Sequence, residues 1–394
     1  MATLTEVRKQ IRLTASVIMI ALTILLGYKI VVKLFRAPPP PPAKVKPNPA
    51  YGKLPYPKFE EVADIKDSGA SYVLDLIASP TLPLMPEFVP VFKNIPKTSS
   101  LFGPDRARQI AKNYFFEEEP NVMSDILYSW RDPDLPRSFS IDMVTQNFYL
   151  DYEYKKDSEA IVPGNILSIS QAENLGISAI QRGGIYPPSI SSGKRQVTLL
   201  KNVGGEPRIA DKAEDYSLAQ INFSRHIEYF LDLEKTQAVP AVGPNLYQTP
   251  ISAFITNNPI KERGVLKLDF SFWNYETESK ATYVLKTTDQ AWKEIQSGSG
   301  SPVYLHPYDL DRYIAYTPEA ITQIRAKKVY LAYYDSIQPQ EYMQPIYVFE
   351  CEAYVLGGRK AEYTIYVPAI VDEWLTGEVR TVETTTENQP IPTP

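Results

Sequence analysis

A single cysteine, Cys351, and two histidines, His226 and His306, are all that 394 residues offer to thiol or imidazole chemistry. One cysteine excludes an internal disulfide framework and a cysteine-based zinc site. Two histidines without HExxH-type spacing leave no recognisable metal-ligand pattern. His226 stands in Asn222–Ile227 with no nucleophile paired to it, and it reads as a polar histidine near a surface. His306, between Leu305 and Pro307, reads the same way. Cys351 alternates with Phe349 in an expected strand, and Glu350 and Glu352 would raise its pKa, so it reads as a small buried hydrophobe.

Other catalytic signatures are thin as well. Gly183-Gly184 and Gly204-Gly205 lack the Lys-Ser partner of a phosphate loop and look like hairpin turns. Glu117–Glu119 has no Asp-x-Asp-x-Asp-Gly loop beside it and reads as a solvated loop after a helix. Asp132 with Asp134, and Asp309 with Asp311, read as turn chemistry. Asn222-Phe-Ser224 matches a glycosylation triplet that is common by chance. A pair of glycosidase carboxylates among 46 acids is not excluded by sequence. The expectation is a non-enzyme with no cofactor and no metal.

Charge is distributed unevenly. Residues 1–58 hold 10 basic side chains and 1 acidic one; removing them from totals of 41 and 46 leaves 31 against 45, a net of −14 for residues 59–394. An acidic body repels nucleic acid, so no nucleic-acid partner is expected. Long hydrophobic runs are absent but for one. Leu13 to Tyr28 carries no charge, and Ile30 to Val32 extend the run past Lys29. About 20 apolar residues at ~1.5 Å rise span a ~30 Å hydrocarbon core, which predicts a single transmembrane helix and an uncleaved anchor. Lys29 and Lys33 are placed to snorkel. The basic excess after this run would by itself put the body in the cytoplasm, although large domains translocate largely regardless of charge.

Alternation dominates the rest. Leu266, Leu268, Phe270 and Phe272 share one face against Lys267, Asp269 and Ser271, which predicts a strand with one wet side. Ala281–Leu285 reads as its hairpin partner. Phe139, Ile141 and Met143 alternate likewise, as do Phe148, Leu150 and Tyr152. Helices are expected over Pro104–Phe115, Gln171–Gln181 and Thr288–Ser297, the last with Thr288 as cap and Ala291, Trp292 and Ile295 as its apolar stripe. The fold class expected is α+β: an N-terminal transmembrane helix, then tandem units of antiparallel sheet with a packed short helix. Punctuation divides the chain into an anchor at 1–36, a Pro/Lys-rich linker at 37–62, units at 63–164, 165–260 and 261–375, and a disordered tail at 376–394.

Three segments of the last unit carry a resemblance. They are the helix Asp289–Gly298 with its Trp292 anchor and Gly stop, the strand Lys328–Tyr334, and the strand Gln344–Glu350. Together they resemble the PepSY-like units of the YycH/YycI-type regulatory proteins, over residues 288–370. Ala107–Ala111 followed by Arg137–Asp142 looks like a diverged copy. The resemblance implies a single-span protein of the bacterial cell membrane, its bulk extracytoplasmic. Such a protein restrains a membrane sensor kinase by contact and without catalysis. The partners then expected are the membrane and another envelope or membrane protein.

Tyr330, Tyr333, Tyr334, Tyr342 and Tyr347 cluster along two expected strands and form the candidate interaction surface, since tyrosine suits protein or sugar contacts. Ordinary strand filling is the competing reading. The function expected is a non-catalytic regulatory or protein-interaction module. The alternative is a module binding cell-wall glycan or peptide, and behind it an envelope hydrolase.

Overall fold

Nine antiparallel strands form the first of two large sheets. In spatial order they are Glu206–Ile209, Arg195–Val203, Leu218–Phe223, Ile251–Thr256, Val265–Phe270, Phe148–Tyr152, Arg137–Asp142, Leu127–Arg131 and Asn121–Val122. The computed structural model describes residues 46–377, except 66, 68, 163–166, 233–234, 277 and 279–280, together with 19, 21–23 and 25–27.

Period-two alternation builds most of this sheet as expected; the exception is Leu266, which at a register shift joins Leu200 and Leu218 and not Leu268 and Phe270. Along Arg137–Asp142 every second side chain is buried, and Phe148, Leu150 and Tyr152 do the same on the next strand. Two helices cover one face. Gly103–Asn113 lays Ala107, Ile110 and Ala111 into a core with Phe139, Ile141 and Phe148. Ile169–Arg182 begins at a capping box, with Ser168 accepting from the Gln171 N–H, and buries Ala172, Ala179 and Ile180 in the same core as Ile221 and Ala253. Gly176, an interruption in the helical pattern, lies tight against the sheet: a Cβ there would sit 3.1 Å from Ile221.

The second sheet runs His226–Asp232, Lys235–Val242, Ile321–Tyr334, Pro345–Val355, Lys360–Pro368, Ser301–Pro307, with Ser71–Leu74 pairing parallel to Ile321–Tyr334. Helix Thr288–Gln296 packs on it, with the Trp292 ring stacked 5.9 Å from Phe349. Its cap is Thr287, one residue before the expected Thr288, in a capping box with Gln290.

The two sheets interlock. The hairpin at 226–242 leaves the first sheet between Leu218–Phe223 and Ile251–Thr256. Its second strand pairs in parallel with the second sheet, Ala241 to Tyr333 and Val242 to Tyr334. Buried Arg225 pins the crossing. Its guanidinium pairs with Asp335 at 3.2 Å, donates to the Trp273 carbonyl and lies 4.2 Å over the Phe272 ring. Each half of that pair satisfies the other's charge, which a dry crossing requires.

Several expectations are corrected. The α+β class with an N-terminal transmembrane helix does not hold: the described residues are mostly β-sheet, 38% strand against 18% helix. Strands from distant stretches merge into shared sheets, so helices are minor covers and not the repeated partner of separate small sheets. Among the described residues no helix is long and apolar enough to cross a membrane. The predicted span, Leu13 to Val32, lies mostly outside those residues, as do most of the linker's prolines and the tail beyond 377. Residues 282–284 do not return as a hairpin onto Val265–Phe270; they pair with Phe88–Pro90. Both edges of Val265–Phe270 are already taken, by Ile251–Thr256 and Phe148–Tyr152. Gly204 and Gly205, both at positive φ, do form a hairpin turn, whereas Gly183 and Gly184 end a helix.

Candidate functional site

The face of the nine-stranded sheet opposite its helices is where the chain departs from ordinary packing. Leu200 and Leu218 fill one end of that face and cluster with Leu266 and with Tyr152, the last residue of its strand. The central strands then turn polar. In register, Asn222 stands beside Ser252, Ser252 beside Asp269, and Asp269 beside Tyr149. Gln220 and Asn222 alternate with buried Ala219, Ile221 and Phe223, so the same period that builds the core delivers the amides to this face.

A cleft of about 360 Å³ opens over these residues. Its floor is the sheet, with Gln220, Asn222, Ser252, Lys267 and Asp269. Its walls are the loop Asn245–Pro250 and three residues after the helix Thr288–Gln296, namely Tyr304, Arg312 and Tyr313. The walls are tied to the floor by a relay of hydrogen bonds. The Tyr313 hydroxyl donates to Gln220 Oε1 at 2.5 Å. Gln220 Nε2 donates to Asn222 Oδ1 at 3.2 Å, and Asn222 Nδ2 donates to the Tyr247 carbonyl at 2.9 Å. Asp311 adds a clamp by accepting from the Ile209 N–H at 2.6 Å. Asn222 is 2% exposed, so its glycosylation triplet is closed to modification.

Electrostatics follow from burial. The Tyr247 hydroxyl lies 2.7 and 2.8 Å from the two Glu362 oxygens, and the Arg312 guanidinium lies 4.0 Å over the Tyr247 ring. Burial pushes the Glu362 carboxyl up, against the pull of Tyr247 and Arg312. Burial likewise pushes Tyr304 up to about 12. Tyr247 and Tyr313 move the same way for the same reason. All three phenols therefore keep their protons at neutral pH and serve as hydrogen-bond donors. Lys267 and Asp269 stand side by side, 3.6 Å apart, as a donor and an acceptor, and Ser252 donates to Asp269 at 3.0 Å.

A second hollow surrounds buried Lys286, which is held by Glu294 at 2.7 Å and Asp372 at 3.0 Å. All three charges are spent on one another there. Among the described residues, no three of His, Cys, Asp and Glu gather as a metal site.

The tyrosines expected as an interaction surface are placed elsewhere. Tyr333 and Tyr347 are fully buried, Tyr334 and Tyr342 nearly so, and only Tyr330 is half-buried. Tyr333 donates to the Pro90 carbonyl and Tyr347 to the Lys286 carbonyl, both at 2.7 Å. Tyr333 and Tyr347 are strand filling with satisfied hydroxyls, because the 14-residue strand Ile321–Tyr334 lies inside its sheet, with Pro345–Val355 along one side and Ser71–Leu74 and Lys235–Val242 against parts of the other. His226 sits 2.8 Å from Glu228, and His306 is buried between the carbonyls of Pro307 and Ile314. Cys351 is buried, and desolvation pushes its thiol up. Asp132 accepts from the N–H groups of Asp134 and Leu135 and pairs with buried Arg137, so turn chemistry was the right description.

The residues that do line the cleft gave one sequence signal: Lys267, Asp269 and Ser271 stand on the wet side of their strand. Their partners come from 198 to 337 and meet only through the sheet order.

Comparison with family models finds no match, and comparison with curated proteins finds none. Among solved structures, an uncharacterised protein from Eubacterium rectale ATCC 33656 is similar over 75% of this chain and 87% of its own, at 11% identity and a TM-score of 0.40.

Proposed function

We propose that residues 47–377 form a non-catalytic binding module of the cell envelope, acting outside the cytoplasm, with the polar cleft as its ligand site. The observation that carries this reading is the cleft itself. Its amides and phenols are held in place by their own relay, which is the preorganisation a binding site needs. The carboxylates nearest to it are engaged, Asp269 by Ser252 and Lys267, and Glu362 by Tyr247. That arrangement favours holding a ligand over cleaving one. The envelope location rests on the resemblance to YycH/YycI-type proteins, and protease accessibility of the body in intact cells tests it.

The test of the site uses the full chain on washed envelope preparations. Wild type should be retained saturably, the D269A variant should elute early, and no new reducing ends or amines should appear. Equal retention of both proteins, or release of fragments, overturns the proposal.

A second reading, contact with a partner protein, is favoured by one observation. Val122 and Met123 at the edge strand Asn121–Val122, and Leu101 and Phe102 before the helix Gly103–Asn113, are all at least 65% exposed. Co-purification of a membrane sensor kinase that is lost in a V122D/M123D variant would support it; unchanged co-purification would refute it.

A further inference from the structure

We infer that the cleft takes a saccharide chain, which it seats among the three tyrosines and leads out over the open sheet face to Tyr149; this rests on the binding-module reading above. The first argument is which groups are on offer. A peptide adding to a sheet uses the backbone N–H and C=O groups of an edge strand. Here the floor is a sheet face, whose backbone groups are consumed in the ladders on both sides of Leu218–Phe223, Ile251–Thr256 and Val265–Phe270. Recognition therefore falls to side chains.

Those side chains have one character. Short amides, hydroxyls and a lysine–carboxylate pair stand at neighbouring positions, so acceptors and donors alternate at hydrogen-bond spacing. A ring hydroxyl is at once a donor and an acceptor, and vicinal hydroxyls ask for this arrangement. Of the residues lining the cleft only Pro250 and Ile337 are aliphatic, too few to seat the side chains of a peptide. The apolar surface comes instead from Tyr247, Tyr304 and Tyr313, whose flat rings suit the C–H face of a pyranose while their hydroxyls stay wet or bonded. Arg312, which also lines the cleft, stacks on Tyr247 and draws on the Glu362 carboxylate, adding a positive charge to that wall.

The second argument is continuity. Asp269 is in register with Tyr149, and Tyr149 with Ser140 on the next strand. Tyr149 is 37% exposed, and the Lys267 ammonium lies 5.4 Å over its ring. From Ser252 to Tyr149 is two inter-strand steps of ~4.8 Å, about 10 Å of polar track. A chain longer than the cleft would meet an aromatic platform at that distance.

The test titrates the full chain with a disaccharide and a tetrasaccharide of N-acetylglucosamine and with a polar twelve-residue Gly/Ser/Asn peptide, and screens an array of neutral and acidic oligosaccharides. The D269N variant, which keeps the shape of the side chain, should weaken the best saccharide about tenfold. Y149A should weaken the tetrasaccharide and leave the disaccharide unchanged. Retention of no saccharide on the array, or equal binding by both variants and wild type, overturns the inference. If the peptide binds instead and D269N abolishes it, the saccharide assignment falls and the binding module stands. If neither probe binds and D269A leaves envelope retention intact, both fall.

Discussion

Removing one oxygen from the cleft, in the Tyr247→Phe variant, isolates the strongest polar contact that supports its wall. The hydroxyl reaches both Glu362 oxygens, at 2.7 and 2.8 Å, in a setting where burial already pushes that carboxyl up. A hydrogen bond to a charged group contributes ~1.5–3 kcal/mol. Its loss should raise the Glu362 pKa further, because the phenol's hydrogen bond favours the ionised carboxylate. The sign follows from proton binding. A carboxyl whose folded pKa lies above its unfolded value binds more protons in the folded state between the two values. Stability then falls as pH rises from the unfolded value through the folded one. The variant widens that window, so its deficit should be largest at pH 7.5 and shrink as pH falls through the raised folded values, below which Glu362 is protonated in both folded proteins. Urea unfolding of the full chain at pH 7.5 and pH 4 measures this, with an unchanged m-value as the check on two-state behaviour. Combined with Glu362→Gln, the phenol's loss should cost less than half as much. An equal deficit at both pH values would refute the reasoning.

Three further outcomes are expected. Gly243→Ala would place a methyl group 2.1 Å from the Gln248 carbonyl oxygen, so the cleft loop must shift; about 1–3 kcal/mol of stability and the envelope retention should be lost together. Asp132→Asn should cost ~3–5 kcal/mol at pH 7, because buried Arg137 loses its counter-charge. Although burial pushes the Asp132 carboxyl up, Arg137 and two backbone N–H groups hold it below the usual range, so its contribution is complete above ~3.9 and is lost as pH falls through the lower folded value; thermal midpoints of wild type and variant should converge there. Cys351 should react with a small thiol reagent about a thousandfold more slowly in the native chain than in urea, as a buried thiol with a raised pKa must.

Local chemistry was legible in the sequence, and long-range pairing was not. The helix over 288–296 was marked by its Trp292 and Ile295 stripe, and Arg137–Asp142 by strict alternation, because both signals lie within a few residues. The partner of Val265–Phe270 was misread, since nothing in 281–285 records that both edges of that strand are occupied by segments far away. The tyrosines of Ile321–Tyr334 misled for the same reason: their exposure depends on strands on either side, and a central strand buries them. The cleft unites Gln220, Tyr247, Asp269 and Arg312, which no spacing rule links. Only the hairpin at 226–242, leaving one sheet for the other, brings its walls together.

The most direct measurement is hydrogen–deuterium exchange of the full chain with and without soluble fragments of cell-envelope glycan. Occupation of the cleft without turnover predicts added protection confined to 245–252, 266–271 and 304–313, with the fragments recovered intact. Protection centred on the 101–127 edge, or cleavage of the fragments, would contradict it.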